Sequence, residues 1–208
     1  MMSYPVSAQN RAAADEDAVL ATASREGDLD AFEELVRRHQ KRMFNIAFRI
    51  SGNPDDASEI TQDAFVAAYR HIGSFRAEAK FSTWLTSILI NHARNRLKQT
   101  RSRQRHEAYS LDEPVRVGDG ELLPDPPSGG PSALDRLEQR DRQKAVQDCI
   151  HALEPKFREV LVLRDLQDLS YGEIGNVLKT REGTVKSRLF RARESIKDCL
   201  KKSLGDIL

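Results

Sequence analysis

SYGEIGNVLKTREGTVKSRLFRAR, residues 170–193, has the pattern of two helices joined by a tight turn. Ser170 is followed three residues later by Glu173, which is the spacing of a capping box at the start of a helix. Lys179 and Thr180 then interrupt the apolar periodicity, and a longer basic segment follows. The stretch predicts a helix-turn-helix near the C-terminus.

The second of these helices has an apolar face and a basic face. Val185, Leu189 and Ala192 follow one another by four and three residues, so they point to one side of a helix. The opposite side carries Phe190 and Arg191. A basic outer face on the second helix suits recognition of the major groove, where Arg donates to guanine and an apolar side chain contacts a thymine methyl. The alternative is a solvated basic helix that closes a helical bundle.

The distribution of charge indicates a polyanionic partner. The 208 residues have a net charge of +1, but residues 91–106 hold six Lys/Arg and no acid, and residues 179–202 hold nine Lys/Arg against three acids. Residues 107–141, between these blocks, hold nine acids against three bases. Two basic blocks separated by an acidic segment favour a protein that grips nucleic acid at two places, although solvated helix surfaces are often charged as well.

Aromatic side chains lie next to the first basic block. The apolar spacing predicts helices over about residues 31–50, from residue 54 onward, and over about residues 83–102. Aromatic rings beside cations are what unpaired bases stack on. Most rings in a small helical domain are nevertheless core residues, and we expect Phe65 and Trp84 to be at least half buried.

A segment rich in proline and glycine separates two helical halves. Residues 108–133 contain five prolines and four glycines without periodicity, which predicts a flexible or extended linker. We therefore expect an all-α protein with two small helical domains. The predicted parts are a flexible N-terminus over 1–24, a first domain over 25–106, a linker over 107–134 and a second domain over 135–208.

Composition and motifs argue against several other classes of protein. Aromatic residues are 6% of the chain and β-branched runs are scarce, so a large sheet is not expected. The absence of a long apolar run or a signal-peptide pattern predicts a cytoplasmic protein without membrane insertion. Cys149 and Cys199 make neither a disulfide framework nor a zinc quartet, which predicts reduced thiols. No phosphate-binding loop or metal-ligand spacing occurs, so neither a catalytic site nor a cofactor or metal is expected.

Three motifs, in order along the chain, resemble the extracytoplasmic function (ECF, group 4) sigma factors of bacterial RNA polymerase. Residues 55–65 (DDASEITQDAF) are similar to the acidic helix of that family. Phe75-Arg76 and residues 81–85 (FSTWL), with Asn91, look like its promoter-melting segment, and residues 171–193 look like its C-terminal helix-turn-helix. The resemblance covers about residues 25–204. Thr86 and Gly175 depart from the family's usual residues.

The resemblance implies a function for each domain. The first, sigma region 2, would bind core polymerase and the −10 promoter element and melt the DNA, and the second, sigma region 4, would read the −35 element. The implied partners are the clamp helices and flap of core polymerase, promoter DNA and an anti-sigma factor, as in a stress response. The residues implied at the −35 element are Tyr171, Arg181, Thr184, Lys186, Ser187, Arg188, Phe190 and Arg191. Those implied at the −10 element are Phe75, Arg76, Phe81, Trp84, Asn91, Arg94, Asn95 and Lys98. Those implied in polymerase binding are Asp55, Asp56, Glu59, Gln62 and Asp63.

Two other functions compete with this interpretation. A stand-alone transcriptional regulator could use the same helix-turn-helix, but it would normally need a dimerisation helix or a receiver domain, and neither pattern is present. An enzyme such as a nuclease would need a catalytic constellation that the sequence does not contain.

Overall fold

The computed structural model describes residues 8–107 and 133–204, and within these ranges the chain is helical with no strand. This confirms the all-α prediction. The predicted linker, except for the ends of its flanking helices, lies outside the described residues. No helix in the described ranges is long and apolar enough to cross a membrane. The helices are α1 (Ala8–Arg25), α2 (Leu29–Ser51), α3 (Pro54–His71), α4 (Phe81–Glu107), α5 (Ala133–Ala152), α6 (Pro155–Leu161), α7 (Tyr171–Leu178) and α8 (Glu182–Leu204).

Local sequence signals set the ends of α2 and α3. The Asp28 carboxylate accepts a hydrogen bond from the backbone amide of Ala31 and so caps α2. Gly52 ends α2 in the left-handed conformation, with φ of 77°, which glycine adopts without strain. The Asn53 side chain then caps α3, and Pro54 occupies its first turn, where no backbone N–H is needed.

The N-terminal segment differs from its prediction. Instead of a frayed chain before residue 25, the structure has α1, which packs against α2. Ala21 is fully buried, and the Asp17 carboxylate bonds the ring of buried His39 at 2.8 Å. The helix has a weak apolar pattern of its own, and it is ordered by this long-range contact, which short-range periodicity does not reveal.

In the C-terminal half, α6 is extended by a π-helical turn over Val162–Leu166, and α6, α7 and α8 pack on one another. Our prediction of reduced cysteines is wrong, because Cys149 of α5 and Cys199 of α8 form a disulfide. The 50 residues that separate them in sequence say nothing about proximity. The packing of α5 beside α8 is what brings the two side chains together.

The two halves also pack against each other. α2 contacts α5 and α6, and α4 contacts α7. Buried side chains of both halves, including Ile50, Leu89, Val160 and Ile174, belong to one continuous apolar core. The two domains predicted from the sequence are therefore in close contact in this structure.

Candidate nucleic-acid interfaces

The helix-turn-helix forms as the sequence predicts. The Ser170 hydroxyl accepts from the backbone amide of Glu173, and the Glu173 carboxylate accepts from the amide of Ser170 at 2.9 Å, which completes the capping box. Burial alone would raise the pKa of Glu173, but the hydrogen bonds from Ser170 and the nearby Lys80 lower it. Lys179 then ends α7 with φ of 52°, a left-handed residue that turns the chain toward α8.

The outer face of α8 is open to solvent. Val185 and Ala192 are fully buried, as predicted, while the Phe190 ring on the opposite side is 68% exposed. The ring is therefore available for contact with a ligand on this face. The other predicted −35 residues on or next to this helix that are exposed are Arg181, Lys186, Ser187 and Arg191, and those that are partly buried are Tyr171, Thr184 and Arg188.

Two contacts hold α8 in its orientation, and the sequence did not reveal either. The Tyr171 ring lies between two cations, with Arg164 and Lys186 each 5.5 Å from its centre. The Arg193 guanidinium pairs through two hydrogen bonds with Asp165 of the π-helical turn, at 3.0 Å and 2.5 Å. Lys186 is therefore positioned by its contact with the Tyr171 ring, and Arg193 is paired with a carboxylate of the same protein.

The polar residues of α4 that were predicted to contact DNA share one face. Asn91, Asn95 and Lys98 are exposed and recur at helical spacing, and Arg94 lies between them. A carboxylate from the other half covers part of this face, because Glu159 of α6 accepts two hydrogen bonds from Arg94, at 2.7 Å and 2.6 Å. This pairing raises the pKa of Arg94.

The aromatic rings beside α4 are more deeply buried than base stacking requires. Phe75 is 5% exposed and Phe81 is 1% exposed, and the two rings meet edge to face at 5.6 Å. In this conformation neither ring offers a face to a base, so the direct contact of Phe75 and Phe81 with DNA stays a prediction. Trp84 packs on both rings and is partly buried, and Phe65 is buried, so the expected burial of Phe65 and Trp84 is confirmed. Arg76 lies exposed on the adjoining loop.

The acidic residues of α3 form an exposed patch beside an apolar groove. Asp55, Glu59, Gln62 and Asp63 are exposed, and Asp56 is partly buried. Arg96 of α4 bonds Asp56 at 2.7 Å and Glu59 at 2.8 Å, so part of the patch is neutralised within its own half. The groove runs between α2 and α3, encloses about 550 Å³ and is lined by Val36, Gln40, Lys41, Phe44, Ser58, Thr61, Gln62, Phe65 and Val66.

Comparison with protein families gives two matches, one in each half. Residues 35–103 match the model described as Sigma-70 region 2, and residues 143–196 match the model described as Sigma-70, region 4. The first match spans most of α2, all of α3 and most of α4, and the second contains the helix-turn-helix.

Similar curated proteins match over nearly the whole chain. The RNA polymerase sigma-H factor of Pseudomonas aeruginosa is 33% identical over 199 residues, which cover 92% of this chain and 97% of that protein. The ECF RNA polymerase sigma factor SigW of Bacillus subtilis is 34% identical over 184 residues, covering 88% and 94%. The ECF RNA polymerase sigma-E factor of Escherichia coli K12 is 33% identical over 180 residues, covering 86% and 92%.

Solved structures share the fold. CnrH, determined in complex with the cytosolic domain of CnrY, matches with a TM-score of 0.64 and 25% identity over 90% of this chain and 99% of that chain. The sigma factor RpoE, crystallised with the anti-sigma factor NepR from Bartonella quintana, matches with a TM-score of 0.58 and 25% identity, over 83% and 98%.

Proposed function

We infer that this chain, which belongs to the extracytoplasmic function group of bacterial RNA polymerase sigma factors, binds core polymerase and directs it to promoters. The observation that carries this inference is the pairing of two basic helices, one in each half, with an acidic docking surface on the first half. The protein acts with polymerase in the cytoplasm and performs no catalysis of its own.

The C-terminal half reads the −35 element through the outer face of α8. Arg191 and Lys186 reach guanine edges from this face, and Phe190 contacts a thymine methyl. The exposure of Phe190 and of the cations around it supports this role. The capping box of α7 and the Asp165–Arg193 pair fix the position of the helix, as a base-reading element requires.

The N-terminal half binds the −10 element through the polar face of α4. Asn91 and Asn95 offer hydrogen-bonding groups to bases, while Arg94 and Lys98 meet phosphates. Trp84, which is partly buried at the start of this face, is the ring that can stack on an unpaired base. Phe75 and Phe81 pack against Trp84 and so support this ring and the loop that carries Arg76.

The α3 surface binds polymerase. Asp55, Gln62 and Asp63 are exposed beside the α2–α3 groove, so a basic partner with an apolar side chain finds both charge and a cavity there. The proposed partner is the pair of clamp helices of core polymerase, while the C-terminal half meets the flap. The structural relatives in complex with an anti-sigma factor or a cytosolic domain support regulation of this chain by an anti-sigma factor.

Transcription in vitro tests this function. The purified chain is added to sigma-free core polymerase with DNA from its own genome, and transcript start sites are mapped. We expect new start sites that share two sequence elements. A chain that binds DNA specifically but neither assembles with core polymerase nor starts transcription would instead be a stand-alone regulator.

A charge-reversed variant tests the docking surface in the same assay. Asp55→Lys with Asp63→Lys is expected to abolish assembly with core polymerase, since both carboxylates lie on the proposed contact face. The matched control is Glu26→Lys with Glu33→Lys, which changes two exposed acids of the same half by the same charge. Equal assembly by both variants would place the docking surface elsewhere.

A further inference from the structure

The contact between the two halves contains buried charged groups with partners across the contact. Arg158 and Glu159, neighbours on α6, are 5% and 4% exposed. The Arg158 guanidinium donates to the backbone carbonyl of Ile50 at 2.6 Å, at the C-terminal end of α2. Glu159 binds Arg94 of α4. Two neighbouring residues of α6, one cationic and one anionic, therefore contact α2 and α4 of the other half.

Further polar pairs surround this centre. Arg49 donates to the Gln147 side chain at 2.5 Å, and Arg42 donates to the Gln167 side chain at 2.8 Å. Lys80 lies 3.7 Å from Glu173. Each of these pairs joins the N-terminal half to the C-terminal half. Arg42 and Arg49 are partly buried, and burial of charge is expensive unless the charged group finds a partner, so these two pairs favour one relative placement of the halves.

The fit around Gly52 is equally specific. A β-carbon placed on Gly52 would overlap Nε2 of His151, so the imidazole of α5 packs directly against the backbone at the end of α2. The Arg158 guanidinium also donates to the carbonyls of His151 and Leu153. It thereby joins the C-terminal ends of α5 and α2, whose unpaired carbonyls need donors.

The position of Glu159 has a consequence for DNA binding. Arg94 belongs to the α4 face proposed to meet the −10 element, and in this structure its Nε and Nη2 both donate to the Glu159 carboxylate. A carboxylate offers the same paired oxygens as a phosphate to a guanidinium fork. The Nε–Nη2 edge of Arg94 cannot hold both groups at once, so docking of α6 and binding of a phosphate at this edge compete.

We propose that Arg158 and Glu159 form a lock that closes the C-terminal half over the promoter-melting face of the N-terminal half, and that Glu159 stands in for DNA on Arg94. The closed form therefore represents the protein before it engages a promoter. The 25 residues from 108 to 132 span at most about 90 Å when extended, which is enough chain for the halves to separate on DNA. This proposal rests on the proposed function of Arg94, but its first test involves neither DNA nor polymerase.

Small-angle X-ray scattering of the full chain measures the closure directly. A compact chain of this length has a radius of gyration of about 17 Å, and we expect Glu159→Gln to raise the measured value by roughly a fifth or more as the halves separate. Glu154→Gln is the matched control, because Glu154 is exposed, loses the same charge and pairs with Lys156 in its own half. The exchange of charges in Arg94→Glu with Glu159→Arg is expected to restore the compact value.

The second measurement is the affinity of the free protein for a single-stranded DNA oligonucleotide of mixed sequence. We expect Glu159→Gln to bind at least about tenfold more tightly than wild type, whereas Glu154→Gln binds as wild type does. Circular dichroism confirms that each variant remains helical. An unchanged radius for Glu159→Gln, or equal expansion of the control, overturns the lock. Expansion without a gain in affinity overturns the masking of Arg94. Failure of the transcription assay with an intact lock would contradict the proposed function alone.

Discussion

The two basic helices of this protein carry similar charge but differ in what covers them. Around α8, the side chains of Phe190, Arg191 and Arg193 are exposed, and Arg193 pairs with Asp165 of its own half. Along α4, Arg94 is held by the opposite half and Arg96 by α3. Under the proposed function, α8 presents its DNA-binding face in this conformation, while α4 would present its own only after a rearrangement.

The difference shows that a block of positive charge does not by itself indicate an available binding surface. Both segments have a net charge of about +6 in sequence. What differs between the two helices is which acidic residues lie around them. Those acids cover Arg94 and Arg96 of α4 and leave most cations of α8 exposed. A helix that melts DNA benefits from being covered until the partner machinery is present, because exposed cations and rings bind nucleic acid without selectivity.

Removal of one ring from each helix gives the largest contrast. Phe81→Ala is expected to lower the free energy of unfolding by about 3–5 kcal/mol, since its ring is buried. Phe190→Ala is expected to change it by less than about 0.5 kcal/mol, since its ring is exposed. Urea unfolding followed by circular dichroism measures both. Similar losses from the two variants would contradict the assignment of one ring to the core and the other to an interface.

Reduction of the disulfide distinguishes how the helices are anchored. The Cys149–Cys199 bond ties α8 to α5 across 50 residues, and no such bond holds α4. Its reduction is expected to lower the free energy of unfolding by about 2–4 kcal/mol. Hydrogen exchange should rise in the C-terminal part of α8 and stay unchanged in α4. Cys149→Ser with Cys199→Ser serves as the control and is expected to be insensitive to reductant, and equal sensitivity of that variant would refute the interpretation.

Two neighbouring arginines of α8 test which cations read the bases. Arg191→Ala is expected to weaken binding to a mapped −35 element by about 1–3 kcal/mol and to relax its sequence preference. Arg193→Ala removes the same charge but from a guanidinium paired with Asp165. It should weaken binding less and keep the preference. Fluorescence anisotropy with matched and altered −35 elements measures the affinity of both variants. A larger loss of affinity in Arg193→Ala than in Arg191→Ala would place the base-reading face of α8 elsewhere.

The smallest effect concerns pH at the contact between the halves. Burial, and then the charge of Arg158, lowers the pKa of His151, with Asp148 acting in the opposite direction. Because the folded pKa is below the ordinary value of about 6.5, the unfolded chain binds more protons, so stability is full above that pH and falls as the pH decreases. His151→Gln is expected to flatten this decline in urea unfolding between about pH 7.5 and 5.5. His71 is exposed, so His71→Gln should keep the wild-type dependence of the free energy of unfolding on pH. If His151→Gln also keeps that dependence, His151 is not its source.

Predictions from the sequence were most accurate where the interactions are local. The Ser170–Glu173 capping box and the buried stripe of α8 depend on residues within a turn or two of each other, and both were identified. The burial of the aromatic cluster was not identified from the sequence, because a ring beside cations can face either bases or the core. Phe75 and Phe81 were assigned to DNA, and the packing of α4 against α2 and α3 buries them.

The amino-acid sequence alone determined α2 to α4, the capping box, the helix-turn-helix and the kind of partner, since periodicity and charge act between near neighbours. Tertiary structure alone decided which of these surfaces are open. The Arg94–Glu159 pair joins residues 65 positions apart, and the disulfide joins residues 50 apart. Contacts at such separations depend on how whole helices pack, and no pattern along the chain records that packing.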